Sequence, residues 1–113
     1  MRHFLKISDL TNKEFLYLLK KTKEVKNSFK TQQTLTSLSN HTLVMIFEKQ
    51  STRTRLSFEA GIGQMGGRAI YLNTRDTQLG RGETIEDAAK VISRMCSIVM
   101  MWLYFGPRKS PIL

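Results

Sequence analysis

Thr42-Leu43-Val44-Met45-Ile46-Phe47 is the segment that most limits what this chain can become. It carries no charge, three of its residues are β-branched, and it is too short for a helix of its own. It reads as a strand that is apolar on both faces. Such a strand is stable only inside a sheet covered on both sides, the usual situation of a parallel sheet with crossover helices. The neighbouring sequence supplies those helices and two further strands.

Thr11 with Glu14 three residues later forms a capping box, and Phe15, Leu18, Leu19 and Val25 recur at helical spacing. The spacing predicts a first helix over residues 13–27. Residues 28–41, rich in Thr, Ser, Gln and Asn, read as a loop tacked to the body by Leu35 and Leu38. After the central strand, Leu56, Phe58, Glu59, Ala60, Ile62 and Met65 give an amphipathic helix stopped by Gly66-Gly67. Arg68-Ala69-Ile70-Tyr71-Leu72 is a second strand. A polar loop over residues 73–83 leads to Thr84 and Asp87, a variant capping box. Ile85, Ala88, Ala89, Ile92 and Met95 form the stripe of a third helix, and residues 98–105 form a third strand. The expected fold is α/β: a parallel sheet with flanking helices, a βαβαβ core preceded by a helix. An α/β domain normally adds another helix after such a strand, so the sequence reads as the front part of something larger.

The 113 residues suit one domain, and hydrophobic residues at 41% can build one core. The single Cys96 lies in an apolar stretch and excludes a disulfide scaffold. No apolar run approaches the ~20 residues of a spanning helix, and residues 1–9 lack the apolar core of a leader segment. Cytoplasm is therefore the expected compartment, without membrane association. The formal charge of +9 points to an acidic partner. Lys20, Lys21, Lys23 and Lys26 follow a helical pattern and read as a solvated face. No helix-turn-helix, zinc-finger or aromatic stacking pattern accompanies them, so nucleic acid is not the expected partner.

A different cationic cluster, Ser51-Thr52-Arg53-Thr54-Arg55, follows the central strand and opens a helix. Ligands of open parallel sheets bind beyond the carboxyl ends of strands. Helix N-termini hold anions through free N–H groups and a positive dipole end. Arg53 can fork onto two phosphate oxygens, and the hydroxyls add donors. The same residues also suit a hydroxyl-capped helix with two surface arginines, and spacing alone does not choose. Arg55 and Glu59 stand at i and i+4 and read as a structural pair. Glu48 and Lys49 read as loop-shaping residues, and His3 and His41 fall in no chemical motif.

The wording of this cluster is distinctive. Phe47-Glu48-Lys49-Gln50-Ser51-Thr52-Arg53-Thr54-Arg55-Leu56-Ser57-Phe58-Glu59 resembles the carbamoyl-phosphate motif of the aspartate and ornithine carbamoyltransferase family. The run from Gln78-Leu79-Gly80-Arg81-Gly82-Glu83 through Arg94 is similar to that family as well. Phe47-Glu48-Lys49 and the Gln78 hexapeptide resemble its ornithine branch. The resemblance, over residues 3–101, implies an incomplete carbamoyl-phosphate-binding domain, with the second, ornithine-binding domain absent. It implies transfer of the carbamoyl group from carbamoyl phosphate to L-ornithine, giving citrulline and phosphate, without metal or organic cofactor. It implies that Ser51, Thr52, Arg53 and Thr54 bind the phosphate, and that Arg53 and Thr54 also stabilise charge during attack. Gln78 would sit on a loop reaching the neighbouring subunit's site in a trimer-based homo-oligomer.

The family pattern also has an Arg at the end of the third strand, where this chain has Trp102, and an Asp where it has Ser97. Its His-Pro-x-Gln segment has no counterpart here. The chain alone is therefore expected to be inactive. The alternatives are a non-catalytic phosphate-binding or subunit-interaction module and, more remotely, a basic nucleic-acid binder.

Overall fold

A computed structural model describes residues 2–73 and 85–103. The chain divides into two compact units, Met1–Leu35 and Thr36–Leu113.

The first unit is built on helix α1, Asn12–Lys30. The capping box forms as expected: the Thr11 hydroxyl accepts from the Glu14 N–H at 3.1 Å, and the Thr11 N–H donates to the Glu14 carboxylate at 3.0 Å. The Arg2 guanidinium closes on the same carboxylate. The helix runs three residues past the expected end, through Ser28, Phe29 and Lys30. Its stop is a backbone motif without Gly or Pro. Gln32 takes a positive φ of 58°, its N–H donates to Phe29 O, and the Gln33 N–H donates to Ser28 O. These are the two bonds of a Schellman terminus. Phe15, Leu18 and Leu19 remain 40%, 46% and 49% exposed, so the stripe that defines the helix is not buried.

The second unit holds a three-stranded parallel sheet in the order β2-β1-β3. Strand β1 is Thr42–Phe47, β2 is Arg68–Asn73 and β3 is Ile98–Trp102. Helix α2, Thr52–Gln64, joins β1 to β2, and α3, Ile85–Met95, precedes β3. The α/β expectation and all three parallel strands are therefore found. Central β1 is hydrogen-bonded on both edges and buried from Leu43 to Phe47. Leu43, Met45 and Phe47 point to one face and pack with Ile62 of α2, flanked by Leu38, Ala69, Tyr71 and Met100. Val44 and Ile46 alternate to the opposite face and are buried as well.

The outer elements are less buried than their apolar patterns suggest. Strand β3 lies at a sheet edge with only Met100 tucked in. Ile62 is the one buried residue of α2, while Leu56 and Phe58 of the expected stripe are exposed. In α3, Ala88 is buried and Met95 is exposed. The expected cap at Thr84, the polar loop with Gly80 and Gly82, and residues 104–105 of the expected strand lie outside the described residues. Among the described residues, no helix is long and apolar enough to cross a membrane.

Gly66-Gly67 ends α2 as expected, again with a Schellman pair: Gly66 N–H to Gly63 O and Gly67 N–H to Ile62 O. Gly66 supplies the positive φ of 90°. Gly67 is required for a different reason. A Cβ there would lie 2.8 Å from Ile62 Cγ1 and 3.0 Å from the His41 carbonyl oxygen. The Gly67→Ala variant should therefore lose about 1–3 kcal/mol of stability through overpacking, read from urea unfolding. An unchanged midpoint would contradict this packing.

The charge-assisted bond from Arg2, followed by that from the Thr11 N–H, holds the Glu14 carboxyl down to about 2 from an ordinary 4.5. The depressed value means that the ionised pair supports the α1 terminus above about 4.5, and that this support is lost as pH falls toward 2. An NMR titration of the Glu14 side-chain carboxyl should give a midpoint near 2, moved upward in Arg2→Gln. A midpoint at the ordinary 4.5 in the unaltered chain would rule the bridge out.

Candidate anion site at the carboxyl end of the sheet

The two neighbours of β1 end level with it. Phe47 pairs with Asn73 on β2 and with Trp102 on β3, and the Glu48 N–H donates to Trp102 O at 3.0 Å. The chain leaves this edge through Glu48-Lys49-Gln50 and turns into α2 at Ser51. Parallel pairing thus places the start of α2 beyond the carboxyl ends of the strands, the usual ligand position of such a sheet.

Ser51 is the N-cap residue, in extended conformation, and Thr52, Arg53 and Thr54 form the first helical turn. The N–H groups of such a turn have no carbonyl four residues back to reach. A Ser at this position commonly accepts from one of them. Here it does not: the Ser51 hydroxyl instead donates to the Thr54 hydroxyl at 2.9 Å. The first intrahelical bond is Arg55 N–H to Ser51 O, at 3.0 Å. The turn also lacks an acidic residue, whereas α1 has Glu14 and α3 has Glu86 and Asp87 in the same place. The positive end of the α2 dipole is therefore left without a counter-charge from its own first turn.

The side chains divide by role. Arg53 is exposed, and among the described residues no carboxylate pairs with it. It is free to fork onto an anion at the turn. Ser51 and Thr54 are half-buried and linked, while Thr52 is exposed. Arg55 is engaged elsewhere, as its spacing suggested: its Nε donates to Glu59 at 2.7 Å. Its guanidinium also lies 3.7 Å from the centroid of the Tyr71 ring, a contact that the spacing of charges along α2 cannot reveal because Tyr71 belongs to β2. Arg53 and Arg55 thus separate into a free cation and a held one.

Trp102 is the last residue of β3, next to the strand end that feeds the turn, and it is 45% exposed. Gln78 lies outside the described residues. Among the described residues, no three His, Cys, Asp or Glu side chains gather as a metal site. In the amino-terminal unit, an apolar groove beside the Arg2–Glu14 pair is lined by Phe4, Leu10, Tyr17 and Leu18 and contains none of the motif residues.

The comparisons with known proteins cover nearly the whole chain. The ornithine carbamoyltransferase of Dechloromonas aromatica is 62% identical over 101 residues, which cover 89% of this chain and 33% of that protein. The crystal structure of ornithine carbamoyltransferase from Burkholderia thailandensis superposes with a TM-score of 0.83 at 54% identity, covering 89% of this chain and 35% of that one. The catalytic subunit of M. jannaschii aspartate transcarbamoylase superposes with a TM-score of 0.80 at 29% identity, covering 89% of this chain and 34% of that one. The chain thus spans about a third of the length of the relatives it matches. Residues 2–109 match the family described as aspartate/ornithine carbamoyltransferase, carbamoyl-P binding domain. An uncapped, acid-free helix start at the carboxyl edge of a parallel sheet, set in a sequence matched to that description over nearly its whole length, places this chain in the aspartate/ornithine carbamoyltransferase family.

Proposed function

We propose that the chain is the carbamoyl-phosphate-binding portion of an ornithine carbamoyltransferase. The observation that carries the reading is the first turn of α2: Ser51-Thr52-Arg53-Thr54 offers N–H groups, hydroxyls and a guanidinium without a carboxylate partner among the described residues, with no acid in that turn. The ornithine branch is favoured over the aspartate branch by identity, 62% to the Dechloromonas enzyme against 29% to the aspartate enzyme of M. jannaschii.

In this reading, the N–H groups and hydroxyls of residues 51–54 take the phosphate oxygens, and Arg53 binds two of them. Carbamoyl phosphate is already activated, so the protein must chiefly orient the reactants and stabilise an oxyanion. The δ-amine of ornithine forms a bond to the carbonyl carbon. The bond from that carbon to the phosphate oxygen breaks, its electron pair leaves with phosphate, and the proton released by the amine ends on the departing phosphate. Arg53 and Thr54 offset the charge that grows on the departing phosphate. Gln78 of a neighbouring subunit completes the phosphate site in a trimer-based assembly, working in the cytoplasm. Ornithine is held by parts of such an enzyme outside the aligned third, so the chain by itself binds carbamoyl phosphate without turning it over.

The second reading, a phosphate-binding module without catalysis, is favoured by Trp102. It occupies the strand end where the family resemblance implies an Arg. An indole offers one N–H and no charge, so it can neither fork onto phosphate nor offset negative charge.

Two outcomes are expected when the remaining two thirds of the Dechloromonas relative are joined to this chain. The chimera with Trp102 should be nearly inactive, and Trp102→Arg should restore citrulline formation by several kcal/mol of transition-state stabilisation, the scale of a positioned charge in a dry site. Equal activity of the two would show that the indole packs without consequence. On the Trp102→Arg background, Arg53→Ala should lower kcat/KM by about 3 kcal/mol. Unchanged kcat/KM would remove Arg53 from the site.

A further inference from the structure

The turn of residues 48–55 is tied at both ends to one side chain. Its entry, Phe47, packs against Tyr71 in a tilted arrangement with ring centroids 5.4 Å apart and an interplanar angle of 50°. Its exit, Arg55, lays its guanidinium 3.7 Å from the centroid of the same ring. Tyr71 is itself fixed. It lies in mid-β2, paired in register with Met45, which is wholly buried, and it packs against the core formed with Ile62. Glu59 then holds Arg55 from the helix side at 2.7 Å, so the guanidinium is gripped between a carboxylate and an aromatic face.

We propose that Tyr71 is a positioning residue for the anion turn, acting through Phe47 and Arg55. The proposal rests on the reading of residues 51–54 as the phosphate site. Arg55 directly follows the three residues whose N–H groups face the anion, so anchoring it fixes the rotation of α2 about its axis. That rotation decides where those N–H groups aim. Arg55 does not itself ligate the anion, because its guanidinium is committed to the ring and to Glu59. Without the ring, Arg55 would keep Glu59 of its own helix but lose its hold on β2. The free N–H groups would then sample a wider cone, and phosphate would have to order them on binding.

The test uses the 113-residue chain, calorimetry with inorganic phosphate, and hydrogen exchange at the Thr52, Arg53 and Thr54 amides. Tyr71→Phe keeps the aromatic face and should leave affinity and exchange as in the unaltered chain. Tyr71→Leu and Arg55→Met should each weaken phosphate binding roughly fivefold, as expected for loss of a partly exposed cation–π contact. Both should speed exchange at the three amides, and the double variant should be no weaker than the worse single one. Arg55→Met leaves the core intact, so it reports even if Tyr71→Leu fails to fold. Val44→Ala, a core truncation on the opposite face of the sheet, should lower the melting temperature while leaving phosphate affinity unchanged. Affinity in Tyr71→Leu or Arg55→Met equal to that of the unaltered chain, or strict additivity of the two, would overturn the proposal. If the unaltered chain takes up no phosphate, the anion-site reading falls instead. Exchange then judges the clamp separately, and unchanged exchange in Arg55→Met would overturn it.

Discussion

Parallel pairing of β1 on both edges is the constraint from which the rest follows. A strand bonded to β2 on one side and β3 on the other, and buried on both faces, has only its two ends for chemistry. Parallel neighbours put all three carboxyl ends at one edge, so Phe47, Asn73 and Trp102 finish together. The helix that must carry the chain back to the next strand begins there. Its first turn brings unsatisfied N–H groups to that edge as a consequence of topology. The residue choice decides what the turn offers: a cap that declines to cap, no acid, and, among the described residues, one arginine without a carboxylate partner while Arg55 is held.

Much of this was legible in the sequence because it is written in local patterns. The uncharged run of residues 42–47 required a buried strand, Thr11 and Glu14 announced the start of α1, and Gly66-Gly67 announced the end of α2. The i, i+4 spacing identified Arg55 as the partner of Glu59. What escaped had no local signature. The end of α1 depends on Gln32 adopting a left-handed conformation that Gln seldom signals. The grip on Arg55 comes from Tyr71, sixteen positions away on another element, and becomes visible only when α2 packs on β2. Strand β3 and the stripes of α1 and α2 are apolar, yet most of their side chains remain partly exposed. An apolar pattern states which face can be covered, whereas the extent of cover depends on what packs against it. The motif around Gln78 falls outside the described residues.

The charges of the chain also sort by context more than by number. The net +9 is a property of the whole sequence, but the lysines of α1 project from a solvated helix, where counter-ions screen them. In the proposed reading, one arginine at an undercompensated helix start, beside N–H groups fixed by the backbone, outweighs several exposed lysines as an anion ligand, because little must be ordered on binding. Trp102 stands at the same edge and brings no charge to it. In the proposed reading the turn holds phosphate while Trp102 adds no charge at the neighbouring strand end, which separates binding from turnover.

The most direct test of the central claim is an amide NMR titration of the chain with inorganic phosphate. The account predicts saturable shifts concentrated at Thr52, Arg53 and Thr54. The Asn12 and Lys13 amides, at a helix start already served by Thr11 and Glu14, should stay in place. Shifts spread across the lysines of α1 with none at the start of α2 would contradict it.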